Sequence, residues 1–159
     1  MLTTFSSVVW IDFLVILYSK YYSLGQSLDR WYSEFGIVAV LSDCLVIVLG
    51  IMIAKFLYPS AELWTLILVA LVVQNIHDYL FYVFVIKPIP TGTNRMIDVF
   101  KSYSEENSWK ILVSDNTMMI GTILLSNLLN DYSVEIQSFT GLLGLYALTY
   151  IIYTKNANK

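Results

Sequence analysis

The sequence predicts an all-α, polytopic membrane protein: a bundle of five transmembrane helices plus two amphipathic interfacial helices on the cytosolic side. Composition indicates the class, because hydrophobic residues make up 57% of the 159 residues and charged residues only 13%. Soluble domains usually carry about a quarter charged residues and under half apolar ones. The length allows one compact bundle, so we expect a single membrane domain over residues 1–159.

Five apolar stretches approach or exceed the roughly 20 residues that cross about 30 Å of hydrocarbon. The fifth is the weakest, because its uninterrupted apolar run is short. Pro59 separates the second stretch from the third, and a loop with Pro88 and Pro90 follows the third. The predicted spans are Thr4–Tyr22, Ile37–Tyr58, Ala61–Ile86, Trp109–Leu129 and Val134–Tyr153.

Two segments between the spans, Ser23–Phe35 and Arg95–Ser108, place apolar residues at helical spacing and charged residues elsewhere. Each predicts an amphipathic helix at the membrane surface; a partner-binding helix is the alternative. Their outward charges predict a surface suited to specific polar contacts with partner proteins. The residues assigned to this surface are Arg30, Glu34, Lys101 and Glu105.

The basic residues predict the orientation of the bundle. Of the nine lysines and arginines, only Lys55 falls toward the side that carries Met1. Because cytosolic loops carry the excess of basic residues, we expect both amphipathic segments and the C-terminus in the cytosol. Met1 then lies outside the cell or in a lumen.

Four aspartates interrupt the predicted spans: Asp12, Asp43, Asp78 and Asp115. An ionised side chain at mid-membrane costs about 2.5–3.5 kcal/mol on insertion scales, so such residues normally face a protein interior. At 1.5 Å per residue, all four fall roughly 9–14 Å beneath the cytosolic interface. Further polar residues share this predicted intramembrane layer, namely Ser42, Gln74, His77, Ser114 and Asn116.

The polar layer suits three kinds of role. Interhelical hydrogen bonds would make it structural; titrating carboxyl groups would suit a proton or cation pathway; and carboxylates can hold a hard metal ion. A single histidine and the lack of a His-Glu-x-x-His pattern disfavour a zinc site. We therefore expect no enzyme activity, no cofactor and no catalytic or metal-binding residues. The net charge of −3 disfavours nucleic-acid binding.

The sequence contains a weak internal repeat, with units at about 4–58 and 61–129 and an extra helix at 134–153. Each unit has a span with an aspartate, an amphipathic segment containing Tyr-Ser-Glu, and a span with Ser-Asp near its start. Both units would cross the membrane in the same direction and form parallel repeats.

Several motifs resemble a family of small multi-pass membrane proteins of nucleocytoplasmic large DNA viruses, which carry a lipid membrane beneath the capsid. The motifs are Leu41-Ser-Asp43 with Val46-Ile-Val-Leu-Gly50, Ile76-His-Asp-Tyr-Leu-Phe-Tyr82, Pro90-x-Gly92-x-Asn94-x-Met-Ile-Asp98-x-Phe-Lys-x-Tyr103, and Ser114-Asp115-x-x-Met118-Met-Ile120. The resemblance implies a structural protein of a virion inner membrane or host intracellular membrane. The expected partners are lipid, capsid or other virion proteins, and further copies of the chain. A small oligomeric proton- or cation-coupled transporter is the alternative.

Overall fold

The computed structural model describes residues 1–22, 25–107 and 109–155, and their side chains except those at 107, 109 and 110. These residues form seven α-helices and no strand, which confirms the all-α prediction. A π-helical turn, Tyr82–Ile86, continues the fourth helix. The helices are α1 (Leu2–Tyr21), α2 (Gln26–Phe35), α3 (Ile37–Leu57), α4 (Leu63–Phe81), α5 (Arg95–Asn107), α6 (Trp109–Leu129) and α7 (Val134–Ile151).

Four helices in the described part of the chain are long and apolar enough to cross a membrane: α1, α3, α4 with its π-helical turn, and α6. They correspond to the first four predicted spans. The fifth predicted span forms a helix, α7, but α7 is not one of the four helices that are apolar enough to cross a membrane. The polar residues Glu135, Gln137 and Ser138 in its first turns reduce its mean hydropathy.

Helix α1 lies at the centre of the bundle, packed against α3, α6 and α7. Its first half buries hydroxyl side chains, namely those of Thr3, Thr4, Ser6 and Ser7. Hydrogen bonds connect it to its neighbours. The Ser126 hydroxyl of α6 donates to the Thr3 hydroxyl at 3.0 Å, and the Ser6 hydroxyl donates to a backbone carbonyl of α7 at 2.9 Å. Such interhelical hydrogen bonds contribute about 0.6 kcal/mol each in membrane proteins.

Two glycines bring α7 against α1. A Cβ added at Gly141 would lie 2.6 Å from the Ser6 hydroxyl, and one at Gly144 would lie 2.8 Å from Val9. Gly141, Gly144 and Ala147 form a stripe of small residues, a sequence pattern that suits either an oligomer contact or internal packing. Its two glycines serve internal packing, because only a residue without a side chain permits this approach.

The two predicted amphipathic segments form α2 and α5. Their buried faces, which include Trp31 and Tyr32 on α2 and Val99 on α5, pack against each other and against the bundle. Glu106 of α5 accepts hydrogen bonds from the backbone amides of Gln26 and Ser27, both at 2.8 Å, and so caps the start of α2. Positions 23, 24 and 108 of the predicted segments lie outside the described residues.

We expect Gly144→Leu to destabilise the protein by about 1–3 kcal/mol, the usual cost of forcing bulk into a packed core. The added side chain would collide with Val9 and with Trp10, whose indole nitrogen lies 3.1 Å from the ideal Cβ position. Unfolding of the detergent-solubilised protein measures the change. Thr149→Leu, at an exposed position of the same helix, is the matched control and should have little effect. Equal stability of the two variants would show that α7 does not depend on this approach.

Candidate functional site

The first two aspartates, Asp12 of α1 and Asp43 of α3, belong to one hydrogen-bond network with α2. The indole of Trp31 donates to both oxygens of Asp43, at 3.2 and 3.1 Å. The Tyr32 hydroxyl donates to Asp43 Oδ2 at 3.0 Å and reaches Asp12 Oδ1 at 3.5 Å. Asp12 is fully buried, and the Cys44 thiol lies 3.9 Å from its second oxygen. Together these contacts attach the amphipathic helix to two spans.

Tyr32 acts as a donor in this network because it keeps its proton. Burial raises the pKa of Tyr32 well above its usual value, and the neighbouring charges of Asp43 and Asp12 raise it further. A neutral phenol can donate to one carboxylate while a second oxygen lies at the edge of hydrogen-bond distance. The same hydroxyl therefore links α1 and α3 beneath α2.

The other two aspartates, Asp78 of α4 and Asp115 of α6, receive no hydrogen bond from the described residues of α2 or α5. Asp78 Oδ1 accepts from the Gln74 amide at 2.8 Å and lies 3.1 Å from His77 Nδ1. Asp78 Oδ2 is buried and has no partner among the described residues. Asp115 receives no hydrogen bond from the described part of the chain.

A cavity of about 880 Å³ is lined by three of the four aspartates, Asp43, Asp78 and Asp115. Spans α3, α4 and α6 supply its walls, while α2 and α5 contribute residues from the side where the amphipathic helices lie. Most of its lining is apolar or aromatic. The polar residues on its lining include seven of the nine predicted layer residues: Ser42, Asp43, Gln74, His77, Asp78, Ser114 and Asp115.

The remaining two predicted layer residues lie near the cavity without lining it. Asp12 is enclosed behind Asp43 in the network with Tyr32. Asn116 points its amide toward Asn75, a lining residue, at 3.4 Å. The structure therefore brings the predicted polar layer together around one cavity.

Sequence reasoning missed the contribution of the amphipathic helices. Trp31 and Tyr32 of α2 and Phe100 and Tyr103 of α5 line the cavity. The repeated Tyr-Ser-Glu signature, which contains Tyr32 and Tyr103, was the available signal. Burial raises the pKa of Tyr103, and the nearby charges of Asp115 and Asp43 add to the shift. Its hydroxyl is therefore a neutral donor facing the same carboxyl groups.

The predicted partner surface is partly occupied by internal contacts. Arg30 bonds Glu34 at 3.1 Å, and Arg95 of α5 reaches the other Glu34 oxygen at 3.4 Å. The hydrogen bond from Arg30 is the main cause that lowers the pKa of the Glu34 carboxyl. Lys101 donates to the carbonyl of Ile89 and so holds the proline-containing loop. Glu105 is exposed and Arg30 is half-exposed.

The described residues form no recognisable metal centre, because no three His, Cys, Asp or Glu side chains among them are arranged to hold an ion. Comparison of the chain with protein-family models, curated proteins and solved structures finds no match.

We expect Asp43→Leu to destabilise the detergent-solubilised protein by about 1–3 kcal/mol, because Trp31 and Tyr32 would lose buried acceptors. Asp43→Asn should be tolerated better, since its amide oxygen still accepts a hydrogen bond. Chemical unfolding followed by tryptophan fluorescence measures both. Asp131→Leu, at an exposed turn, is the control. Equal losses for the asparagine and leucine variants would contradict a hydrogen-bonding role.

Proposed function

We propose that the protein is a structural component of a viral inner membrane that contacts capsid-side proteins through α2 and α5. One observation carries the proposal: the two amphipathic helices are attached to each other and to buried span residues, forming a fixed surface. Glu106 joins α5 to the start of α2, while Trp31 and Tyr32 attach α2 to Asp43. A pre-organised surface loses little conformational entropy on binding a partner. The viral placement follows from the motif resemblance described above.

The proposal includes five spans, with α7 as the fifth. At 1.5 Å per residue, the 18 residues of α7 extend about 27 Å, close to the hydrocarbon thickness. Its polar first turns and the capping Ser133 would lie at the lumenal interface. The contact between α7 and the central helix α1 supports this placement. Met1 is then lumenal and the C-terminus cytosolic.

The proposal also includes two related halves, each a span, an amphipathic helix and a second span. The packing supports it, because equivalent pairs of helices are in contact. The contact of α1 with α6 corresponds to that of α4 with α3, and the contact of α1 with α3 corresponds to that of α4 with α6. The equivalent helices α2 and α5 contact each other, as do α3 and α6. A pseudo-twofold axis along the membrane normal would generate these pairs.

Cysteine accessibility tests the topology. In a Cys44→Ser background, a cysteine replacing Glu105 or Lys155 should react with a membrane-impermeant reagent from the cytosolic side. A cysteine replacing Asp131 should react only after permeabilisation. All three positions are exposed in the structure. Lys155 decides the status of α7, because a protein with four spans would place positions 131 and 155 on the same side.

Charge reversal tests the partner surface. We expect Arg30→Glu combined with Glu105→Lys to reduce incorporation of the protein into virus particles, because specific interfaces depend on complementary charge. Lys101 stays unchanged in this test, since it holds the loop at Ile89. Lys55→Glu, an exposed reversal at the opposite end of the bundle, is the control. Normal incorporation of the double variant at normal membrane levels would remove the surface from the proposal.

A proton- or cation-coupled transporter is the second candidate, favoured by the three carboxyl groups that line one cavity. Reconstitution in liposomes separates the two roles. A transporter would conduct protons or monovalent cations and lose that flux in Asp115→Asn. A structural protein would not raise the ion permeability of the liposomes, either with the natural sequence or with Asp115→Asn.

A further inference from the structure

We propose that the cavity between α3, α4 and α6 binds a long-chain amine: an amphiphile with a protonated amino head group and an alkyl chain. Its volume of about 880 Å³ falls within the range of about 300–1,000 Å³ that is typical of ligand pockets. This site is independent of the partner surface on the outer faces of α2 and α5.

The walls of the cavity reach the lipid-facing surface of the bundle. Leu45 and Leu49 of α3 and Tyr79 of α4 line the cavity, and each is more than half exposed. A molecule that enters from the bilayer would therefore carry an alkyl chain that replaces lipid contacts at this surface. Ligand pockets of this kind are mostly apolar and contain a few placed polar groups that orient the ligand.

Two lining residues of α4, Gln74 and Asp78, carry acceptors without a partner in the described structure. Gln74 lines the cavity, is only 1% exposed, and has an amide oxygen with no partner among the described residues. Asp78 Oδ2 on the same helix is also buried without a partner in the described structure. Buried acceptors without partners destabilise a fold, so a ligand that brings donors is favoured at this position. An ammonium group offers three donors.

Charge selects an amine over an anionic head group. Asp43, Asp78 and Asp115 line the cavity, and no lysine or arginine does so within the described residues. A phosphate or a fatty-acid carboxylate would add negative charge beside three carboxyl groups in a poorly solvated site.

The two halves of the bundle differ in a way that supports a ligand. In the first half, Tyr32 donates to Asp43 and lies beside Asp12. The equivalent tyrosine, Tyr103, lines the cavity without a hydrogen bond to Asp78 or Asp115 in the described structure. On the same cavity lining, Asp43 therefore has a tyrosine donor, whereas Asp115 has none and Asp78 keeps one oxygen without a partner in the described structure. An ammonium group would supply the missing donors.

Photolabelling tests the proposal in phosphatidylcholine nanodiscs. A long-chain primary amine with a diazirine in its alkyl chain should label peptides of α3, α4 and α6. Unlabelled octadecylamine should compete for this labelling, whereas octadecanoate and octadecanol should compete poorly. These competitors share one chain and differ only in head group, so the series requires no variant of the protein.

The matching variant is Asp78→Asn with Asp115→Asn, which keeps size and removes charge. We expect site labelling to fall about tenfold or more, as when a buried charge pair loses one member. Asp131→Asn, at an exposed turn, should label like the natural sequence. Equal competition by amine, alcohol and carboxylate overturns the proposal, as does unchanged labelling of a folded double variant. Bulk lipid or water would then fill the cavity.

Discussion

The hydrogen-bonding of carboxyl groups within the apolar bundle organises this structure. Asp12 and Asp43 lie in helices that are apolar enough to cross a membrane, and within a bilayer the protein must supply the partners that water cannot. It supplies Trp31 and Tyr32 from α2, a helix that is too polar to span the membrane. The same contacts therefore satisfy the buried groups and hold α2 against the bundle. Replacing Asp43 with a residue that cannot accept hydrogen bonds would leave Trp31 and Tyr32 without this acceptor and weaken the attachment of α2.

An amphipathic pattern in this sequence does not by itself identify a helix that lies on lipid. Periodicity predicted α2 and α5 correctly but could not tell whether their apolar faces meet lipid or protein, since both environments select the same residues. The structure buries Leu28, Trp31 and Val99 against protein. The tryptophan and tyrosine carry polar groups that need partners when buried, and such residues favour a protein contact over lipid chains.

Much of the fold and of the candidate site was predictable from the sequence. Apolar length predicted the four helices that can cross a membrane, and counting residues along each helix grouped the four aspartates, three of which line one cavity. Partner choice was not predictable: the bonds of Asp43 to Trp31 and of Lys101 to Ile89 depend on how helices turn about their axes. The role of Gly141 and Gly144 was open for the same reason, since small residues suit internal and external contacts equally.

The difference between the two halves gives the aspartate layer two separate physical roles. Around Asp12 and Asp43 the donors come from the protein itself, which makes that half architectural. Around Asp78 and Asp115, Tyr103 of α5 does not donate, and Asp78 Oδ2 is a buried acceptor without a partner among the described residues. Because these two carboxyls and Asp43 line one cavity, this side of the bundle has room for another molecule.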